Sequence, residues 1–318
     1  MSPHHRHFRN LFPALSSGRH WKFITTALVD FSCNTAAMSN AQQAAYWTEI
    51  GGVHWVNDQQ LFDHMLAPFG IESRRVLAAQ PGEHVLDVGC GTATTTLAIA
   101  AAVGPTGSVV GCDISPTMID AARGRIKDMP QVSLAIADVQ TADLVQADPF
   151  DAVYSRFGVM FFAEPEAAFS NIAAAVRPGG RLVFVCWQHE DHNEWISLPA
   201  RIMRTFTPEP VLPDPSAPGP FAFHDPNRIE QILSQAGWID ISIAPFSAPV
   251  VLGAGRGVDA ALQQSMGTRA GQGLREQVDE QTYQRAIEAV RAALAERASS
   301  DGVVSFTGSV WVVTANRR

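Results

Sequence analysis

The segment from Val85 to Ala93 constrains this chain most: an apolar run, Val85-Leu86, ends in a carboxylate, Asp87, and turns through Gly89 and Gly91. The Ala/Thr-rich stretch Thr94 to Val103 follows and reads as a helix. Glycines at 89 and 91 allow a tight turn and a close backbone approach to a ligand. A dinucleotide-binding loop has the same strand–turn–helix plan, but its third glycine belongs where Thr94 stands, and a pyrophosphate prefers positive potential at the helix start. Asp87 opposes that preference and suits a ligand carrying positive charge.

The following segments repeat the strand–acid pattern. Ser108 to Cys112 predicts a second strand ending at Asp113, and Ile114 to Met118 opens a helix. Asp113 lies 22 residues beyond Gly91, close to the roughly 20-residue spacing at which an acid accepts from ribose hydroxyls. Val132 to Ala137 predicts a third strand, followed by Asp138-Val139, and Phe150 to Ser155 a fourth. Arg177-Pro178-Gly179-Gly180 reads as a turn into a fifth strand, Arg181 to Trp187. Taken singly, Asp113 is an ordinary helix N-cap and Asp138 a solvated loop acid. Acids after three successive strands carry more weight, because the carboxyl ends of the strands in an open α/β sheet face one crevice.

Over about residues 81 to 187 the order and spacing of these segments resemble the class I S-adenosylmethionine-dependent methyltransferases. The resemblance implies a Rossmann-like α/β fold: a seven-stranded, mostly parallel sheet with helices on both faces. It implies S-adenosyl-L-methionine as cofactor, with Asp87, Gly89, Gly91 and Thr92 in the first loop, Asp113 on the ribose, Ile114 on the adenine and Asp138 near the adenine amino group. Met118, Val139 and Ser155 complete the expected cofactor wall. The family commonly has glycine where Ala93 stands. Alanine disfavours positive φ, so the loop is expected to pass there with helical or extended angles.

The chain has 318 residues, 46% of them hydrophobic, ample for a buried core. A net charge of −8 argues against a nucleic-acid partner, and no uninterrupted apolar run is long enough to span a membrane. Cys33, Cys90, Cys112 and Cys186 show no metal-like spacing, and three of them fall in or beside strands. They read as buried small apolar residues of a reducing, cytoplasmic compartment.

Residues 1–37 hold eight His, Arg or Lys residues against one acid, Asp30. Such a start can be a transit peptide or a nucleic-acid-binding tail. An upstream extension or a floppy tail is favoured, with the domain running from Met38 to Arg318. Within it, residues 38–79 form a helical lid, 80–187 the cofactor-binding half and 188–318 the substrate-side half. In the lid, Gly51-Gly52 is expected to break a helix that resumes from Trp55 to Phe69. The resemblance has the lid fold over the cofactor, which makes Tyr46, Trp47, Trp55 and Gln59 candidates to close the site. Packing of the tryptophans onto the sheet is the compatible alternative.

After the fifth strand, Trp187 to Trp195 should emerge at the crevice rim, followed by a long Pro-rich loop, 208–220. Asn227 to Gly237 reads as a helix, Ile239 to Ala244 as a strand and Val303 to Thr314 as the last strand. Between them Val258 to Ser299 carries two helical stretches, a cap inserted before the last strand. Trp47, Trp55, Phe157, Trp187 and Trp195 can line an acceptor pocket, which the cap and the 187–195 loop would roof. His54, His189 and His192 are candidate bases if the acceptor must lose a proton, although each reads more simply as a solvated loop histidine. No catalytic residue is assigned. The expected activity is methyl transfer to a small-molecule acceptor. The alternatives are a nucleotide-dependent oxidoreductase and a non-catalytic binding protein.

Overall fold

The computed structural model describes residues 40–145, 148–208, 214 and 216–318. The expectation for residues 1–37 lies outside the described residues. Seven strands form one sheet: β1 (His84–Val88), β2 (Ser108–Asp113), β3 (Val132–Ile136), β4 (Phe150–Arg156), β5 (Val176–Trp187), β6 (Trp238–Val251) and β7 (Ser305–Arg317). Their order is β3-β2-β1-β4-β5-β7-β6. The first five are parallel, and β7 runs antiparallel between β5 and β6. Every residue of β1 is buried, as expected of a central parallel strand covered on both faces.

The alternation along β1 divides the core. Val85 packs in a cluster with Leu77, Ile99 and Val103, whereas Leu86 and Val88 join the larger core on the other face. The first cluster belongs to α3 (Gln59–Leu77) and α4 (Thr94–Val103). With a side-chain period of two, Asp87 points to the face of Val85, toward α4.

The lid comprises α1 (Asn40–Glu49), α2 (Gly51–Asn57) and α3. Gly51 and Gly52 do not break a helix, as the sequence suggested, but form the first turn of α2; the break falls at Ile50. Contact explains the glycines: a Cβ on Gly52 would stand 1.8 Å from the Trp47 carbonyl oxygen. A second break at Asp58 separates α2 from α3, which runs on to Leu77 rather than stopping at Phe69. Helix α5 (Pro116–Arg125) begins as its sequence dictates, with Ser115 accepting from the Met118 N–H and proline in the first turn.

After α6 (Pro165–Ala174) the Pro-Gly-Gly segment proves to be a bulge inside β5. Val176 pairs with Phe150 and Arg181 with Ala152, so the four residues between them oppose Asp151 alone. The expected rim loop after β5 is shorter than the sequence implied. A 3-10 turn at 190–192 leads into α7 (Glu194–Arg204), which carries Trp195. Helix α8 (Pro226–Gln235) precedes β6. The cap has three helices, α9 (Val258–Met266), α10 (Arg269–Gln277) and α11 (Glu280–Ala295), where two stretches were expected. The Thr268 and Asp279 caps, accepting from Gly271 N–H and Thr282 N–H, divide it. The cap meets the lid, with the Arg269 guanidinium 5.8 Å from the Tyr46 ring centre.

Candidate active site

The β1–α4 turn is tied to its neighbours by backbone hydrogen bonds. The N–H groups of Gly89 and Cys90 both donate to the Cys112 carbonyl, at 2.8 and 3.0 Å. Gly89 has φ 67° and lies against the loop after β4, where an added Cβ would come 2.8 Å from Gly158 Cα. Gly91, at φ 56°, lies over Met118, whose Cε would meet an added Cβ at 3.3 Å. The turn therefore needs glycine at both positions by conformation, and at Gly89 by contact as well. Ala93 departs from expectation. It adopts φ 66°, ψ 22°, left-handed rather than helical or extended, and does so fully buried. The turn geometry overrides the alanine's preference at a cost of about 1 kcal/mol.

Three acids stand at the carboxyl ends of neighbouring strands. Asp87 has no solvent exposure; its Oδ2 accepts from the hydroxyls of Thr95 at 2.9 Å and Thr96 at 2.7 Å. Its Oδ1 is buried without a hydrogen-bond partner among the described residues. Burial pushes its pKa up to about 6 against the opposing effect of the two hydroxyls. Asp113 accepts from Ser115 N–H through Oδ1 and from Gly91 N–H through Oδ2, both at 2.9 Å. Burial raises its pKa, and these backbone donors work against that shift. Asp138 accepts from Gln140 N–H through Oδ1 and from the Asn40 side chain of α1 through Oδ2.

The other expected wall residues divide between the strand ends and the lid. Ile114 is half-buried beside Asp113, and Met118 and Val139 are buried. Thr92 is turned toward Arg125, whose Nη1 donates to its carbonyl at 2.6 Å. The Ser155 hydroxyl donates to the Val88 carbonyl at 2.8 Å and accepts from Gly158 N–H, so it staples β1 to the loop after β4. Trp55 stacks on Phe62 at 4.4 Å, and Gln59 donates to Asp63.

The lid lies on the start of α5. Ser115 Oγ donates to the Trp47 carbonyl and Thr117 Oγ1 to that of Thr48, each at 2.7 Å. The five aromatics expected around one pocket form two groups. Trp47 and Trp55 pack together with Phe161, whereas Phe157, Trp187 and Trp195 form a second group, with Phe69 of α3 against the first two. Phe157 stacks on Trp187 at 4.3 Å and holds φ 62°, an outlying conformation for a bulky residue. The candidate bases lie apart: His54 pairs with Asp58 at 3.2 Å, and His189 and His192 are exposed.

One group was not anticipated. Asp63, Arg125 and Arg156, from α3, α5 and β4, converge beside the first turn of α4. Only the helical spacing of Gln59 and Asp63 hinted at it; the arginines approach from distant segments.

The residues present fit an S-adenosylmethionine-type ligand. Two glycines leave the loop backbone bare, Asp113 retains acceptor capacity on both oxygens, and Asp87 Oδ1 is an unmatched buried acceptor. Among the described residues no His/Cys/Asp/Glu group that could hold a metal is present. No helix among them is long and apolar enough to cross a membrane.

Comparison with known proteins agrees with this geometry. Residues 85–180 match the family model of a methyltransferase domain. The chain is 29% identical over 180 residues to the demethylmenaquinone methyltransferase of Symbiobacterium thermophilum, covering 51% of this chain and 70% of that protein. A Bacillus cereus protein of the same name is 32% identical over 113 residues, 35% of this chain and 48% of that one. An uncharacterised 37.1 kDa protein from a Streptomyces fradiae transposon is 37% identical over 107 residues, 34% of this chain and 31% of that one. The matched regions thus span less than half of the latter two proteins. Among solved structures, the YcgJ protein of Bacillus subtilis superposes with TM-score 0.52 at 15% identity, over 80% of this chain and 98% of that one. A Bacillus halodurans protein gives TM-score 0.51 at 18% identity, over 78% and 98%. Residues 85–180 are thus similar to a methyltransferase domain, and the sheet and helices share the fold of these solved structures.

Proposed function

We propose that this chain transfers a methyl group from S-adenosyl-L-methionine to a small-molecule acceptor with an apolar body. The observation that carries the reading is the alignment of Asp87, Asp113 and Asp138 around a bare glycine turn. S-adenosylmethionine bound there supplies an electrophilic methyl group on a sulfonium. The chain's part is to hold and to exclude. Asp113 accepts from ribose hydroxyls, Ile114 and Met118 flank the adenine, and Asp87 adds negative potential beneath the turn. The lid and cap keep water from the reacting atoms.

Alignment alone supplies roughly 7–11 kcal/mol in favourable cases, so the reaction requires little acid–base work from the protein. The second aromatic group, Phe157, Trp187 and Trp195, supports an apolar acceptor on the cap side. The relatives named demethylmenaquinone methyltransferases agree with an acceptor of that character. The three free, buried cysteines among the described residues suit a reducing compartment such as the cytoplasm. Residues 38–318 form one functional domain in this reading.

The test is transfer from methyl-labelled S-adenosylmethionine into fractionated small-molecule extracts. Label appearing in an apolar metabolite supports the proposal. A chain that binds the cofactor yet labels nothing across extracts is a binding protein instead.

A further inference from the structure

Gln264, on the inner face of the cap helix α9, is 9% exposed and ties three elements together. Its Oε1 accepts from Gly253 N–H at 2.7 Å, which holds α9 to the turn after β6. That bond fixes which end of the amide is which, because only the oxygen can accept from an N–H. The amide nitrogen therefore points the other way, toward α3, and donates to Met65 Sδ at 3.1 Å. A thioether is a weak acceptor. An amide N–H given to sulfur in a buried place recovers only part of what leaving water costs it.

The donor stands beside the second aromatic group. Met65 comes one helical turn before Phe69 on α3. Phe69 meets Trp187 edge-on at 5.1 Å and Phe157 at 6.0 Å, and those two rings stack on each other. Trp187 ends β5 and Phe157 follows β4, so the rings lie at the carboxyl edge of the sheet, where the three acids also stand. Helix α3 reaches that edge with its first half. Asp63 accepts from Thr94 at the start of α4, whereas the Leu77 carbonyl accepts from Arg181 at the opposite end of the strands. Gln264 Nε2 is thus a polar donor one turn from an aromatic group, on the side of the sheet where ligands bind. The Gly253 bond accounts for the amide oxygen; the sulfur accounts for the nitrogen only in part.

We infer that Gln264 is a specificity residue for the methyl acceptor: its Nε2 exchanges the Met65 sulfur for a carbonyl or hydroxyl oxygen on the acceptor, whose apolar body packs against Phe157 and Trp187. The inference rests on the proposed reading of an apolar acceptor and narrows it to one that carries such an oxygen. A site that offers a buried donor selects against ligands unable to accept from it. An alkylamine, protonated at neutral pH, has no lone pair to give and is selected against.

Two probes with one ring skeleton test it: 1-tetralone, and tetralin, which lacks the carbonyl oxygen. Each is titrated calorimetrically into the full chain saturated with S-adenosylhomocysteine. Gln264→Glu keeps an oxygen for Gly253 N–H and removes the donor. It should weaken tetralone by about 3- to 10-fold, the range of one hydrogen bond, and change tetralin by less than about twofold. Met65→Leu leaves the amide and removes the competing sulfur, and it serves where the glutamate variant does not fold. The preference for tetralone over tetralin should rise in it by about twofold or more. A preference that stays at the wild-type value in either variant, or that falls in Met65→Leu, overturns the inference, since Gln264 would then only brace the cap on α3. If neither probe binds the wild-type chain, the acceptor reading itself has failed.

Discussion

Gly91 N–H donates to Asp113 Oδ2 at 2.9 Å, joining the turn after β1 to the acid that ends β2. Asp113 thus holds the glycine turn in place, and in the proposed reading it also offers its remaining lone pairs to a ribose. Asp113→Ala should weaken S-adenosylhomocysteine by about 1.5–3 kcal/mol, the scale of hydrogen bonds to a charged group. It should also lower the melting temperature, because Gly91 N–H loses its partner. Titration and a thermal melt of the same variant check both; unchanged affinity would remove Asp113 from the cofactor site.

Ala93 should be replaceable to advantage. At φ 66° a glycine sits without the Cβ penalty, and the residue is followed directly by α4. Ala93→Gly should stabilise the chain by about 1 kcal/mol in urea unfolding with an unchanged m-value. A loss of stability would show that the methyl group's burial outweighs the strain.

His84 gives stability a pH dependence. It lies at the start of β1 against Phe150, ring centres 4.4 Å apart, and neither ring nitrogen has a hydrogen-bond partner among the described residues. Burial lowers its pKa, while Asp148 and Asp151 act in the opposite direction. A histidine whose folded pKa lies below its unfolded value near 6.5 binds fewer protons folded than unfolded. Its contribution is fully present above that value and is lost as the pH falls toward the folded pKa. Melting temperatures between pH 7.5 and 5 should therefore decline less in His84→Leu than in wild type. Parallel declines would show that His84 does not contribute.

Much of the candidate site is legible in the sequence because it is local. A strand, an acid and two glycines within nine residues dictate the first turn, and Ser115-Pro116 announces α5. The strand ends bring Asp87, Asp113 and Asp138 together because parallel topology brings all carboxyl ends to one edge. What was missed depends on packing. The left-handed Ala93 is imposed by the turn around it, and Gly52 is glycine because the Trp47 carbonyl lies where a Cβ would be. The meeting of Asp63 with Arg125 and Arg156 depends on how α3 crosses the sheet, which no short-range pattern records. The helix boundary inside the cap was missed because Thr268 and Asp279 act as caps within a stretch of continuous helical composition.

Asp87 carries the opposite pH sign. Its pKa is raised to about 6 in the folded chain from an ordinary 3.8, chiefly by burial. The folded state therefore binds more protons between those values, and the cost of the buried charge is fully present above about pH 6 and relieved as the pH falls. Asp87→Asn should melt higher than wild type at pH 7.5, with the difference shrinking toward pH 4. It should also bind S-adenosylhomocysteine more weakly, through loss of negative potential under the turn. A variant that melts lower at pH 7.5 and binds normally would contradict both parts.

Whether the glycine turn and its three acids hold S-adenosylmethionine rather than a dinucleotide is decided by titrating one preparation of the full chain with S-adenosylhomocysteine and with NAD. Saturable binding of S-adenosylhomocysteine and none of NAD is expected under the same conditions. Saturable NAD binding without S-adenosylhomocysteine binding would contradict it.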